Sequence, residues 1–172
     1  WEIVKIVIIA LLIVIPIRYF LFQPFLVKGQ SMEPNFHDGD YLIIDEISYR
    51  FKEPRRGEVV VFKYPRAPFQ RFIKRVIGLP GETIEIKDGQ VIIYKNNEVL
   101  VLDESNYLGN LKTSGNLKTS LAEGEFFVLG DNRSVSADSR SWGPLPQKYI
   151  VGRVFFRLWP LTTLAKIEIP AY

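Results

Sequence analysis

The 172-residue chain has no cysteine, one methionine and one histidine. Without cysteine there are no disulfides and no thiolate metal sites. A single imidazole, His37, cannot build a histidine-rich metal centre, so neither metal nor cofactor is expected. A strong charge imbalance is missing as well. Lys and Arg number 22 against 19 Asp and Glu, a formal +3. Nucleic-acid binders gather basic residues on one stripe, and here they alternate with acids, which argues against a nucleic-acid partner. A weak attraction to anionic lipid is compatible with the excess. No long amphipathic helical pattern follows residue 25.

What is present begins with an apolar run. Residues 3–22 read "IVKIVIIALLIVIPIRYFLF", about the length that a bilayer core needs. Lys5 and Arg18 lie near its ends, where long side chains reach the headgroups. Trp1 and Tyr19 suit the interface, and Pro16 is tolerated in membrane helices. A cleaved signal peptide would need small residues at its cleavage site, and "RYFLFQPF" has none. A buried core helix is the other alternative. Residues 1–22 are therefore expected to be an uncleaved anchor. The chain opens at Trp1 and not at Met, so further sequence is expected upstream.

Beyond the run the period changes. "YLIIDEI", "EVVVFKY", "RFIKRVIG", "ETIEIKDGQVIIYKNNEVLVL", "EFFVLG" and "VGRVFFRLW" are short, rich in β-branched and aromatic residues, and bounded by Gly, Pro, Asn or Asp. These are strand signals. "KDGQ" and "KNNE" read as hairpin turns. The fold expected is mainly β, an antiparallel sandwich or barrel-like sheet over 23–172. A hydrophobic content of 47% is enough for its core. Residues 109–120, "GNLKTSGNLKTS", repeat a hexapeptide and read as a duplicated surface loop. It marks where a small inserted lobe, about 84–122, rejoins the main body.

Ser31 in "VKGQSMEP" invites a nucleophile, which needs a base. His37 is six residues away in a turn, where a surface role is the simpler reading. A lysine serves as base only if burial lowers its pKa from about 10.4, so it must sit in an apolar strand. Lys74, flanked by Phe72, Ile73, Val76 and Ile77, meets that condition. An outward-facing strand lysine would look the same. "GDNRSVSADSRSWGPLP", 130–146, is by composition a polar turn network with Asp138 and Arg140 as a natural pair.

Together, "SMEP", "RRGEVVVFKYP", "RFIKRVIGLPGE" and "GDNRSVSADSRSWGPLP", in that order behind an apolar segment, resemble the bacterial type I signal peptidases. These are membrane-bound Ser–Lys endopeptidases that remove signal peptides from exported proteins. The resemblance implies a β Ser–Lys protease fold behind one transmembrane helix, with Ser31 as nucleophile, Lys74 as general base and Ser136 orienting Lys74. It assigns Asp131, Asn132, Arg133, Asp138 and Arg140 to a supporting network. It implies cleavage after a small-x-small pattern, on the outer side of the cytoplasmic membrane. The partners implied are exported preproteins and membrane lipid, with the enzyme acting as a monomer. Some members carry a serine as oxyanion donor two residues before the nucleophile. Here Gly29 stands there, leaving the Ser31 amide and a backbone donor near Gly29. Asn35 replaces a common threonine, and Glu58 and Glu82 replace common aspartates. Two rivals share parts of the pattern: a self-cleaving repressor-type protease, and a tethered β domain that binds peptides without cutting them.

Overall fold

A computed structural model describes residues 1–20, 22–170 and 172, with only the backbone of 13–20 and 22. The apolar run forms one helix, α1 (Glu2–Phe20). Its described apolar side chains, including Ile3, Ile6 and Leu12, are exposed. Among the described residues, no helix is long and apolar enough to cross a membrane. The anchor expected over 1–22 falls partly on residues outside that description.

The remainder is mainly β, as its strand signals indicate. In chain order the strands are β1 (Phe22–Leu26), β2 (Tyr41–Asp45), β3 (Val59–Tyr64), β4 (Ala67–Gly78), β5 (Thr83–Lys87), β6 (Gln90–Lys95), β7 (Glu98–Val101), β8 (Leu117–Ser120), β9 (Glu125–Leu129), β10 (Leu145–Pro146), β11 (Ile150–Trp159) and β12 (Ala165–Lys166). Two short helices interrupt them, α2 (Ser105–Leu108) and α3 (Ser139–Trp142). Among the described residues all strand pairs are antiparallel and form two sheets. The larger runs β1-β2-β11-β3-β4-β9-β10, with β12 on β11; the smaller runs β7-β6-β5-β8. β1 contains Pro24, which an edge strand tolerates because one side of it has no partner.

Within the larger sheet, β4 lies between β3 and β9. Its C-terminal half, Ile73–Gly78, is buried without a break because sheet neighbours and side-chain layers cover it on every side. Alternation along it sends Lys74 and Arg75 to opposite faces. Val27, Met32 and Phe36 join Val59, Val61 and Ile73 in one core cluster, which roots the segment around Ser31. A second cluster links Ile84, Ile86, Val91 and Ile93 of the smaller sheet to Ile77, Phe127 and Leu129 of the larger.

Both expected hairpin turns form. Asp88 and Gly89 have φ of 52° and 81°, and Asn96 and Asn97 have 49° and 66°, the left-handed pairs that two-residue hairpins require. The duplicated hexapeptide departs from the loop reading. Its first copy is a connector, but its second supplies β8, which pairs with β5 from Thr83↔Ser120 to Ile86↔Leu117. Identical residues take two conformations because β5 offers an edge to only one of them, so tertiary pairing overrides local composition.

Candidate active site

Ser31 sits in the loop 27–40 between β1 and β2. The loop is fixed from beneath: Met32 and Phe36 are fully buried, and the Phe36 amide donates to the Met32 carbonyl at 2.9 Å. Met32 and Phe36 thereby hold Ser31 half-buried at the wall of a cleft of about 630 Å³. Phe25 and Leu26 of β1 line this cleft, with Phe69, Arg71, Phe72, Ile73 and Lys74 of β4 and with Val135 and Ala137.

Lys74 reaches the same point from β4. Its Nζ lies 2.6 Å from Ser31 Oγ and donates to the Ile73 carbonyl at 2.9 Å. The side chain is only 3% exposed. Burial pushes its pKa down to about 8, against the pull of the Asp138 and Asp131 charges. The Phe72 ring lies 5.6 Å from Nζ and adds to the apolar wall. A buried amine with a lowered pKa against a serine hydroxyl is the arrangement needed to accept that hydroxyl's proton. His37 is exposed on its turn.

The third segment is 130–140. Asp138 is fully buried, binds Arg140 Nε and Nη2 at 2.8 Å each, and accepts from the Gly130 amide at 3.1 Å. Asp131 accepts from Arg75 Nε at 2.8 Å and Nη2 at 2.6 Å, and from Asn35 Nδ2 at 2.9 Å. The Asn132 amide donates to the Ser31 carbonyl at 3.0 Å. Arg133 donates to the Gly130 carbonyl at 3.0 Å and to Glu104 at 2.6 and 2.8 Å. Thus the structure joins Ser31, Lys74, Asp131, Asn132, Arg133, Asp138 and Arg140 at one place.

Two of the expected roles differ in the structure. Ser136 Oγ is buried and has no hydrogen-bond partner among the described residues, so no bond links it to Lys74; the Ile73 carbonyl holds Nζ instead. The Gly29 amide is not a free oxyanion donor, because it donates to Asp38 Oδ1 at 2.7 Å.

Residues 1–159 match the family model for signal peptidase, peptidase S26. The chain belongs to this family. It is 36% identical over 174 residues to signal peptidase I of Leptolyngbya laminosa, covering 97% of this chain and 83% of that protein. It is 34% identical to signal peptidase I of Bacillus licheniformis, covering 98% and 93%. A crystal structure of a signal peptidase I from Enterococcus faecalis V583 superposes with a TM-score of 0.52 at 35% identity, covering 60% of this chain and 97% of that one.

Within this family member, sequence reasoning missed Arg75, Glu104 and Asp38. Arg75 had a signal, since two adjacent cations in the apolar "FIKRVI" must each find a buried partner. Glu104 and Asp38 had none, because their partners Arg133 and Gly29 are set by loop packing.

Proposed function

We propose that Ser31 and Lys74 are the catalytic pair of a serine endopeptidase that removes signal peptides from exported preproteins. The observation that carries the reading is the 2.6 Å approach of a buried lysine with lowered pKa to a serine lining a cleft.

Neutral Lys74 takes the Ser31 proton, and Oγ attacks the carbonyl carbon after a small residue. The Ser31 amide faces the developing oxyanion. Gly29 must exchange the Asp38 carboxylate for the oxyanion before it can add a second donor. The Lys74 ammonium then protonates the leaving amine. Lys74, neutral again, deprotonates a water that attacks the acyl-enzyme ester, and its ammonium returns that proton to Ser31 Oγ as the ester bond breaks. Asp131, Asn132, Arg133, Asp138 and Arg140 hold the 130–140 segment against the Ser31 loop. Ser136 is the nearby hydroxyl that completes the lysine's surroundings once substrate enters.

A substrate strand enters between β1 and β4, where backbone groups on the exposed strand edge pair with it. Residues 1–22 act as the membrane anchor, with 23–172 on the extracytoplasmic side and working as a monomer. Supporting this are apolar side chains of α1 that face no protein surface, such as Ile3 and Leu12. Beside the catalytic body, the sheet β5–β8 forms the lobe of about 84–122.

The test is cleavage of a preprotein carrying a small-x-small site by detergent-solubilised enzyme. Wild type cuts at that site, and folded Ser31→Ala and Lys74→Ala proteins do not. A correctly folded wild type that cuts nothing overturns the reading.

A further inference from the structure

The duplicated hexapeptide gives the same six residues two different surroundings. In the second copy Thr119 is partly exposed on β8. Its counterpart in the first copy, Thr113, is 1% exposed. The Thr113 amide donates to the Gly89 carbonyl at 3.0 Å. The Lys112 side chain packs on Gly89, where a Cβ would come within 2.9 Å of it. The turn between β5 and β6 thus seats the first copy. The Thr113 hydroxyl donates to Glu104 Oε2 at 3.3 Å and accepts from Arg133 Nη1. The next residue, Ser114, accepts from Arg140 Nη1, at its carbonyl at 3.2 Å and at its Oγ at 3.3 Å.

Both arginines lead to Gly130. Arg133 Nε donates to the Gly130 carbonyl at 3.0 Å. Arg140 binds Asp138, which accepts from the Gly130 amide at 3.1 Å. Gly130 in turn packs so closely on the Ser31 carbonyl that a Cβ would overlap it. From this convergence we infer that the first copy of the repeat is a positioning element for the nucleophile loop, with Thr113 acting through Arg133 and Ser114 through Arg140. The inference rests on the peptidase reading above. Nη1 of a guanidinium carries two protons. Glu104 Oε2 accepts from Arg133 Nη1 at 2.8 Å, and the Thr113 hydroxyl is the second acceptor. Without that hydroxyl a buried N–H has no partner, a cost that a turn of the guanidinium relieves at the expense of its bond to Gly130. The second copy carries the same threonine at a place that β5, not the arginines, has claimed.

The experiment measures kcat and KM on a preprotein with a small-x-small site, for full-length Thr113→Val, Thr113→Ala, Thr113→Ser and Thr119→Val proteins. Circular dichroism and urea melts establish that each is folded under the assay conditions. Thr113→Val keeps the shape of the side chain and removes its hydroxyl. Its kcat should fall about 10- to 100-fold with KM within about twofold, because a small misplacement of the reacting group acts on the chemical step. Thr113→Ser returns the hydroxyl and should bring kcat back to within about threefold of wild type. Thr119→Val makes the same change in the same hexapeptide and should stay within about twofold. Thr113→Ala, which opens space and does not fill it, should show the same fall in kcat and carries the test should the valine not fold. A folded protein without the Thr113 hydroxyl that keeps kcat within about twofold overturns the inference, whatever its stability. So does a Thr113→Ser protein as slow as Thr113→Val, or a Thr119→Val protein that loses as much. Wild type that cuts nothing would strike the peptidase reading itself, which separates the two failures.

Discussion

The Asn132 amide donates to the Ser31 carbonyl at 3.0 Å, bonding the 130–140 segment to the serine loop across 101 positions of chain. The approach depends on Gly130, because a Cβ there would overlap both the Ser31 carbonyl and Ser136 Oγ. Gly130→Ala must therefore push the two segments apart. Misplacing a reacting group by about 1 Å can lower the rate about 100-fold. We expect a loss of that order in kcat from a protein that still folds, checked by steady-state kinetics beside circular dichroism.

The pH dependence follows from Lys74. Only its neutral form accepts the Ser31 proton, and burial lowers its pKa to about 8. Activity should rise about tenfold per pH unit on the acid side and level off above about pH 8. Lys74→Ala should lose at least about 10³-fold in kcat with no residual limb at that pH. A full pH–rate profile of both proteins decides it.

The same burial carries a stability penalty. Lys74 has a folded pKa of about 8 against an ordinary 10.5, so between those values the unfolded chain binds more protons. Stability from this group then rises with pH across that window and is lowest below pH 8. The difference corresponds to about 3 kcal/mol. Lys74→Met should be inactive yet more stable than wild type at pH 7, by up to that amount, with the advantage fading towards pH 10.5. Urea melts at pH 7 and pH 10 measure it.

His37 offers the contrast. Its side chain is exposed on a turn, while Lys74 occupies the space beside Ser31 Oγ. His37→Ala should keep activity within about twofold, since surface substitutions away from such features have small effects. A loss of 100-fold would return a histidine mechanism to consideration.

The strands were legible because alternation, β-branched runs and the two Asp/Asn turns are local signals. β4 announced both its burial and its lysine in "RFIKRVIG". β1 was not legible, since Pro24 breaks a strand pattern and only its edge position accommodates it. β8 was hidden for a similar reason: "LKTS" occurs twice, and the free edge of β5 selects one copy. At the site, Ser31 and Lys74 could be proposed from residue type and setting. The Asp38–Gly29 and Glu104–Arg133 contacts could not, because they join side chains and amides whose meeting is set by loop paths.

Arg75 and Asp131 supply the last prediction. Their side chains are 4% and 0% exposed, and two hydrogen bonds of 2.8 and 2.6 Å join them. Burial alone would make the Arg75 guanidinium easier to deprotonate, but the Asp131 charge and hydrogen bond, together with Tyr107 and Tyr172, outweigh it. Removing one partner leaves the other charge unpaired where water cannot reach it. Such losses run to about 3–5 kcal/mol, whereas replacing both partners with apolar residues of similar volume is far milder. Asp131→Ala should therefore destabilise by that order, and Arg75→Met with Asp131→Leu should recover a large part of it in denaturant melts. Activity should separate from stability in the double variant. Asp131 also accepts from Asn35 of the Ser31 loop, so a refolded core without it would still leave that loop loosely held, with kcat depressed. Recovery of stability with full recovery of kcat would show that the pair serves the fold alone.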